Sequence, residues 1–252
     1  MTDDRVSDNG CDHVSGDVHA YDVTGSGPVL LVLPGGAGHP MGLGPLTERL
    51  AAHFTVVTYD PLGLAHGRLG LPVPQQRVAD WSEGAHRVLE AVLPAGAAAY
   101  VFGTSAGGIA ALDLLARHPG RLAHVVAHEP PCVTVLPDGQ ERRAELIGQL
   151  DGPGRPPAQG PSATPYGVFL ARVLHRFTSY APSFTAPPAP LTLAAGTDSR
   201  GQLLYRTAAL LAERLGGAFL EFPGGHLGTR DQPVAFADLL TDTLRSSART
   251  SA

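Results

Sequence analysis

The stretch AAAYVFGTSAGGIAALDLLARHPG (97–120) places one serine among small residues where an apolar run changes to helical spacing. The run 98–102 predicts a buried strand, and the apolar spacing of 107–118 predicts a helix directly after it. Between them, GTSAG (103–107) matches the G-x-S-x-G pattern in the strand–turn–helix context that makes it informative. We expect a strained turn that exposes the Ser105 hydroxyl at a helix N-terminus. The alternative is a helix N-cap serine beside glycines needed for close packing.

Strand and helix patterns alternate along the rest of the chain, which predicts an α/β fold with a mostly parallel sheet. Buried strands are predicted within 27–38, 54–60, 122–129, 191–198 and 218–225, and a less regular strand within 17–23. Helices are predicted within 41–54, 78–93, 201–215 and 232–246.

The length of 252 residues and the hydrophobic content of 43% predict one core with a small appended lid. We assign the core to 17–132 and 191–252, preceded by a polar segment, 1–16, that we expect to be flexible. The segment 133–190 is rich in Pro, Gly and Arg, and we interpret it as a helical lid inserted over the site. Its two helical candidates are 140–150 and 166–177.

Composition excludes several classes of function. A net charge of −5 with 16% charged residues gives no basic stripe for nucleic acid. The chain contains no lysine, which excludes Schiff-base chemistry and a phosphate-loop lysine. Cys11 and Cys132 make no disulfide framework, and we find neither a signal peptide nor an apolar run that spans a membrane. We therefore expect a cytoplasmic protein that binds neither nucleic acid nor a membrane, and the oligomeric state stays open.

Two features that could indicate a cofactor or a metal are weak. Gly36-x-Gly38 is followed by Met41 where the third glycine of a dinucleotide site belongs, so no nicotinamide cofactor is predicted. His124 and His128 are four residues apart on a predicted strand, where a core role is favoured over metal binding. The sequence therefore predicts no cofactor and no metal.

The motifs and their order resemble those of the α/β-hydrolase fold family over about residues 17–246. In this resemblance Ser105 matches the family's nucleophile. The glycine loop LPGGAG (33–38) occupies the place of the family's first oxyanion loop. The resemblance therefore implies that the N–H groups of Gly36 and Ala106 are the oxyanion donors.

The resemblance also nominates a base and an acid. His226 in FPGGHLG follows the last predicted strand, where the family places its histidine. Asp198 follows the preceding strand, so Ser105, Asp198 and His226 occur in the family's order, and Asp198 is our preferred acid. It could instead be the N-cap of the helix 201–215. Glu129 is the competing acid, because some related enzymes draw their acid from that strand.

The resemblance implies a serine hydrolase that acts on a carboxylic ester, thioester or lactone. Two alternatives remain open: a non-hydrolytic enzyme of acyl transfer, lyase or cyclase chemistry, and a ligand-binding member without turnover. An apolar stripe that includes Phe169, Val173 and Phe177 could face the substrate or could simply be core packing. The identity of the substrate is not predicted.

Overall fold

A computed structural model describes most of the chain. It covers residues 20–36, 43–151, 163–182, 184, 186–187 and 189–250. The segment 1–16, which we predicted to be flexible, lies outside these residues.

The strands of the described residues form one seven-stranded sheet. They are β1 (Ala20–Thr24), β2 (Val29–Leu33), β3 (Thr55–Asp60), β4 (Ala99–Thr104), β5 (Leu122–His128), β6 (Leu191–Gly196) and β7 (Ala218–Phe222). Their order across the sheet is β1-β3-β2-β4-β5-β6-β7, and only the β1–β3 pair is antiparallel. The predicted α/β fold with a mostly parallel sheet is confirmed.

Helices cover both faces of the sheet. They are α1 (Gly44–Leu50), α2 (Val78–Val92), α3 (Ala106–Arg117), α4 (Gly139–Asp151), α5 (Pro165–Val168), α6 (Leu174–Phe177), α7 (Leu203–Leu215), α8 (Gly228–Asp231) and α9 (Pro233–Thr250). No helix among the described residues has both the length and the apolarity that a membrane crossing requires.

The alternation of side chains along β2 explains why both faces need a cover. Leu31 and Leu33 belong to the core cluster that also contains residues of α2, α3 and α7, whereas Leu30 and Val32 belong to the cluster that contains residues of α1 and α9. All four side chains are fully buried. Successive residues of a strand point to opposite faces, so a continuous apolar run is buried on both sides. The carboxyl ends of the parallel strands then meet at one edge, which is where a site is expected.

Several element boundaries differ from the sequence prediction, and one predicted helix is interrupted. β6 ends at Gly196 because Thr197–Ser199 forms a 3₁₀ turn, and β7 ends at Phe222, two residues before Gly224, which has a φ of +81°. The predicted helix 166–177 is interrupted by a π-helical turn, Phe169–Val173, in which the N–H of the following residue donates to the carbonyl of Phe169.

Candidate active site

Ser105 lies in a sharp turn between β4 and α3, with φ 53° and ψ −122°. Its N–H donates to the carbonyl of His128 at 2.9 Å, which ties the turn to β5. A Cβ on Gly103 would overlap the carbonyl of Gly107, and a Cβ on Gly107 would overlap the carbonyl of Leu33. The glycines are therefore required by space, and the turn carries its strain at Ser105 itself.

His226 is held by a carboxylate from the neighbouring strand end. Its Nδ1 lies 2.9 Å from Oε2 of Glu129, and the imidazole is 35% exposed whereas the glutamate is 1% exposed. The other carboxylate oxygen, Oε1, accepts the N–H of Gly196 at 3.0 Å. Glu129 directly follows β5 and has a φ of 43°, so its backbone is left-handed like that of Ser105.

The surroundings of Glu129 keep its carboxyl ionised. Burial is the largest influence and on its own raises the pKa of Glu129, but hydrogen bonds from His226, the Gly196 N–H and the Ser199 hydroxyl, helped by His128, outweigh it. The pKa of Glu129 therefore lies below its ordinary value of 4.5. An ionised carboxylate fixes the proton of His226 on Nδ1, which leaves Nε2 as an acceptor.

The structure corrects the preference for Asp198, because it brings Glu129 and not Asp198 to Nδ1 of His226. Asp198 is exposed in the 3₁₀ turn, and its carboxylate accepts only a long hydrogen bond of 3.4 Å from Thr197. It is not a helix N-cap either, because α7 begins at Leu203 with Gln202 as its N-cap. The Asp198 N–H donates to the carbonyl of Gly224, so its backbone ties the turn to the loop that carries His226.

A cavity of about 410 Å³ joins the candidate residues. Ser105 and His226 line it, together with the two expected oxyanion donors, Gly36 and Ala106. The neighbouring Gly35 also lines it, and a Cβ on Gly35 would lie 3.7 Å from Cβ of Ser105. The glycine loop therefore packs against the turn that carries the serine, and the oxyanion role of Gly36 and Ala106 stays a prediction.

The rest of the cavity wall is mostly apolar and comes largely from the segment between β5 and β6. Phe169 and Phe177 line the cavity, whereas Val173 packs in the core and is not part of its wall. The predicted division into a core and a lid at 133–190 stays a prediction, although α4, α5 and α6 lie within that range.

Sequence reasoning missed several residues of the wall. These are Leu146, Leu150, Tyr166, Thr178, Pro131, Leu204, Leu227, Thr229 and Arg230. Some could have been suspected, because Pro131 and the group 227–230 follow the carboxyl ends of β5 and β7, where a site is expected. The guanidinium of Arg230 is hydrogen-bonded to Asp231 at 3.0 Å, which offsets the charge at this part of the wall.

His124 and His128, the two histidines that could have suggested a metal site, contact different groups. His124 is hydrogen-bonded to Thr192 at 2.9 Å, whereas the ring of His128 packs against Phe222 and Phe236. In the described part of the chain no three His, Cys, Asp or Glu side chains are grouped as metal ligands.

Comparisons with known proteins agree with the fold. No protein-family model matches the sequence. The chain is 32% identical to the uncharacterized hydrolase YraK of Bacillus subtilis, over 96% of this chain and 97% of that protein. It superposes on the crystal structure of an alpha/beta hydrolase from Sphaerobacter thermophilus with a TM-score of 0.62 and 24% identity, over 89% of this chain and 95% of the other. It superposes on a thermophilic esterase from Thermogutta terrifontis with a TM-score of 0.65 and 17% identity, over 91% and 93% of the two chains.

The two structural likenesses establish the fold, and the full-length relative establishes kinship with a hydrolase. Together with the strained serine turn at the carboxyl edge of a mostly parallel sheet, they lead to one conclusion: this chain belongs to the α/β-hydrolase family.

Proposed function

We propose that the protein hydrolyses a carboxylic ester, thioester or lactone of a small molecule, with Ser105 as nucleophile, His226 as general base and Glu129 as the residue that orients His226. The observation that carries this proposal is the 2.9 Å bond from Nδ1 of His226 to Glu129, beside a cavity that His226 and Ser105 both line. A serine hydroxyl is a weak nucleophile at neutral pH, so it needs a base whose tautomer is fixed.

In the first half of the reaction, Oγ of Ser105 attacks the carbonyl carbon and gives its proton to Nε2 of His226. The N–H groups of Gly36 and Ala106 donate to the oxyanion that forms, and the first turn of α3 leaves such groups without an intrahelical acceptor. The tetrahedral intermediate collapses, the alcohol or thiol leaves with the proton of His226, and an acyl-serine remains.

In the second half, His226 takes a proton from a water molecule as its oxygen attacks the acyl-serine. Collapse returns that proton to Oγ of Ser105 and releases the acid. Glu129 stays ionised throughout and stabilises the imidazolium in both halves. The same steps open a lactone, in which the acid and the alcohol are parts of one molecule.

The esterase name of the Thermogutta terrifontis structure supports ester chemistry as the first reaction to test. Proteins of this fold that are haloalkane dehalogenases use an aspartate nucleophile, and this chain has Ser105 at that position. The chemistry is therefore argued from the serine and its partners and not from the fold.

A second candidate, acyl transfer to an alcohol, is favoured by the apolar wall of the cavity, because apolar side chains offer a water molecule few hydrogen-bond partners beside the acyl-serine. The two candidates differ in how the acyl-serine partitions between water and an alcohol. When methanol is added to a turnover assay, methyl ester forms in proportion to the methanol concentration. A pure hydrolase gives mainly acid at low methanol, whereas a transferase gives ester.

The direct test combines a fluorophosphonate probe with a panel of aryl esters and lactones. Trypsin cleaves this lysine-free chain only after arginine, so a labelled Ser105 appears on the peptide 88–117. We expect labelling and turnover in the wild type. We expect Ser105→Ala to lose labelling and about 10³-fold or more of turnover while it stays folded. Hydrolysis that persists in Ser105→Ala at the wild-type rate contradicts the proposal.

A further inference from the structure

The ring of Phe169 lies directly on the glycine loop. A Cβ built on Gly36 would fall on the Cδ2–Cε2 edge of that ring, closer than real atoms approach. The ring therefore fills the space in which a side chain at position 36 would stand.

Gly36 is required by this contact and not by its backbone conformation. The described glycines with left-handed backbone do not include Gly36, so an alanine could adopt its φ without strain. What excludes a side chain at Gly36 is the position of the Phe169 ring.

The position of Phe169 is fixed by the turn that it begins and by a neighbouring ring. Phe169 begins the π-helical turn Phe169–Val173, and turns of this kind occur frequently at functional sites. Its ring packs against that of Tyr166, with centroids 5.9 Å apart and planes 41° apart. The turn thus presents the ring to the cavity on one side and to Gly36 on the other.

Hydrogen bonds anchor this turn to the loop that precedes α2. The N–H of Gln76 donates to the carbonyl of Arg172 at 2.9 Å, and Nε2 of Gln75 donates to the carbonyl of Ala171 at 2.9 Å. The side chain of Gln76 accepts the indole N–H of Trp81 on α2 at 3.1 Å. The anchor therefore reaches the core and does not depend on the glycine loop.

We propose that Phe169 is a positioning residue, whose ring seats the glycine loop so that the Gly36 N–H can reach the oxyanion formed at Ser105. The inference rests on the function proposed above. Through Phe169, the segment between β5 and β6 then contributes to catalysis and also forms a wall of the substrate cavity. A loop displaced by about 1 Å costs about 10²-fold in rate, so a ring that prevents this displacement affects turnover.

The test is a double-mutant cycle of Gly36→Ala and Phe169→Ala, with kcat expressed per active site titrated by a fluorophosphonate. We expect Gly36→Ala alone to lower kcat by about 10²–10³, because its methyl group and the ring cannot occupy the same space. We expect Phe169→Ala alone to lower kcat by about tenfold or more, because the loop loses its seat. In the Phe169→Ala background, Gly36→Ala is expected to cost no more than about twofold.

Gly35→Ala is the matched control. A Cβ at Gly35 has Ser105 and Thr104 as its neighbours within 4 Å and does not meet Phe169. Its effect on kcat is therefore expected to be the same with and without the ring. A merely structural role for Phe169 would lower the titrated fraction of active sites and leave kcat per site unchanged.

Two results overturn different statements. Losses that simply multiply in an active enzyme, so that Gly36→Ala costs as much without the ring as with it, overturn the role of Phe169 and leave the proposed function intact. A folded wild type that neither reacts with the probe nor hydrolyses any ester overturns the proposed function, and the role of Phe169 falls with it.

Discussion

Nδ1 of His226 and Oε2 of Glu129 lie 2.9 Å apart, although 97 positions separate the two residues in the chain. The glutamate directly follows β5, which lies next to the strand that precedes Ser105, and the histidine lies in the loop after β7. The sheet therefore brings a histidine and a carboxylate into hydrogen-bond contact from strands that are not neighbours.

Glu129→Gln and Asp198→Asn form a matched pair of substitutions that tests this relationship. We expect Glu129→Gln to lower kcat by up to about 10⁴, because an amide neither fixes the tautomer of His226 nor stabilises its imidazolium. Asp198→Asn is expected to change kcat by less than about twofold, since its carboxylate is exposed and Nδ1 of His226 is bonded to Glu129 instead. The measurement is the steady-state kcat of both variants. A larger loss in Asp198→Asn than in Glu129→Gln would indicate that Asp198 is the residue that orients His226.

The size and apolar wall of the cavity predict a dependence on chain length. A cavity of about 150 Å³ holds benzene, so 410 Å³ has room for about 16 non-hydrogen atoms. For p-nitrophenyl esters, kcat/KM is expected to rise about fourfold per added methylene from acetate to about hexanoate and then to level off.

Leu146→Trp supplies the control for chain length, because Leu146 lines the cavity and is only half-buried on α4. The larger ring takes up part of the volume and should move the optimum to shorter acyl chains while acetate turnover stays similar. A flat profile from acetate to octanoate in the wild type speaks against an acyl group bound in this cavity.

The backbone strain at Ser105 predicts that a glycine there stabilises the protein. A non-glycine residue in a left-handed backbone conformation destabilises the folded state by about 1–3 kcal/mol. Glycine removes this strain, but its greater backbone freedom in the unfolded chain cancels part of the gain in stability. We expect Ser105→Gly to be about 1 kcal/mol more stable than Ser105→Ala, which corresponds to about 2–4 °C in Tm. Both variants lack the hydroxyl, so the comparison isolates the backbone; equal melting temperatures would argue against strain at this turn.

Two buried histidines predict a loss of stability in mild acid. Burial lowers the pKa of His124 and of His128 from 6.5 to about 4. Between these values the unfolded chain binds more protons than the folded one, so stability falls as the pH falls from 6.5 towards 4. One such group costs about 2 kcal/mol between pH 7 and pH 5. The pKa of Glu129 lies below 4.5, so its carboxylate adds to the loss only at lower pH.

His128→Phe separates the two histidines. Both ring nitrogens of His128 lack a hydrogen-bond partner, and the ring is fully buried between aromatic side chains. The variant is expected to lose only about half as much stability between pH 7 and pH 5 as the wild type does, as measured by urea unfolding. The comparison uses the change with pH, so a shift in stability at pH 7 from repacking does not affect it. An unchanged pH dependence would show that His128 does not titrate in this way.

Local pattern was enough for the parts of the site that local geometry builds. The strands were predictable because runs such as 29–33 are apolar throughout, and the serine turn because its pattern of small residues lies between a strand pattern and a helix pattern. A histidine near the carboxyl edge of the sheet was predictable because a glycine-rich loop that carries His226 follows the last predicted strand. These features depend on local pattern or on strand order alone.

The carboxylate that contacts His226 was not predictable from chain order, because Glu129 and Asp198 both follow strands that end at the same edge of the sheet. Two features of the folded structure distinguish Glu129 from Asp198. The backbone of Glu129 is left-handed, and the N–H of Gly196 donates to its buried carboxylate. The cavity wall was hidden for the same reason, since Leu146 and Leu204 reach it from helices whose packing no local pattern specifies.

Among the described residues, Ser105 and Glu129 are the two non-glycine positions with a positive φ, and they are the nucleophile and the acid of the proposed reaction. In a duplicated gene freed from selection for turnover, a glycine at 105 is then favoured by stability and costs nothing that selection still preserves. The buried carboxylate of Glu129 also accepts the N–H of Gly196, so its loss would leave a buried donor without its acceptor. Degenerate copies of this gene are therefore expected to lose the side chain of Ser105 before that of Glu129, while the glycines at 103 and 107, which the packing of the turn requires, persist.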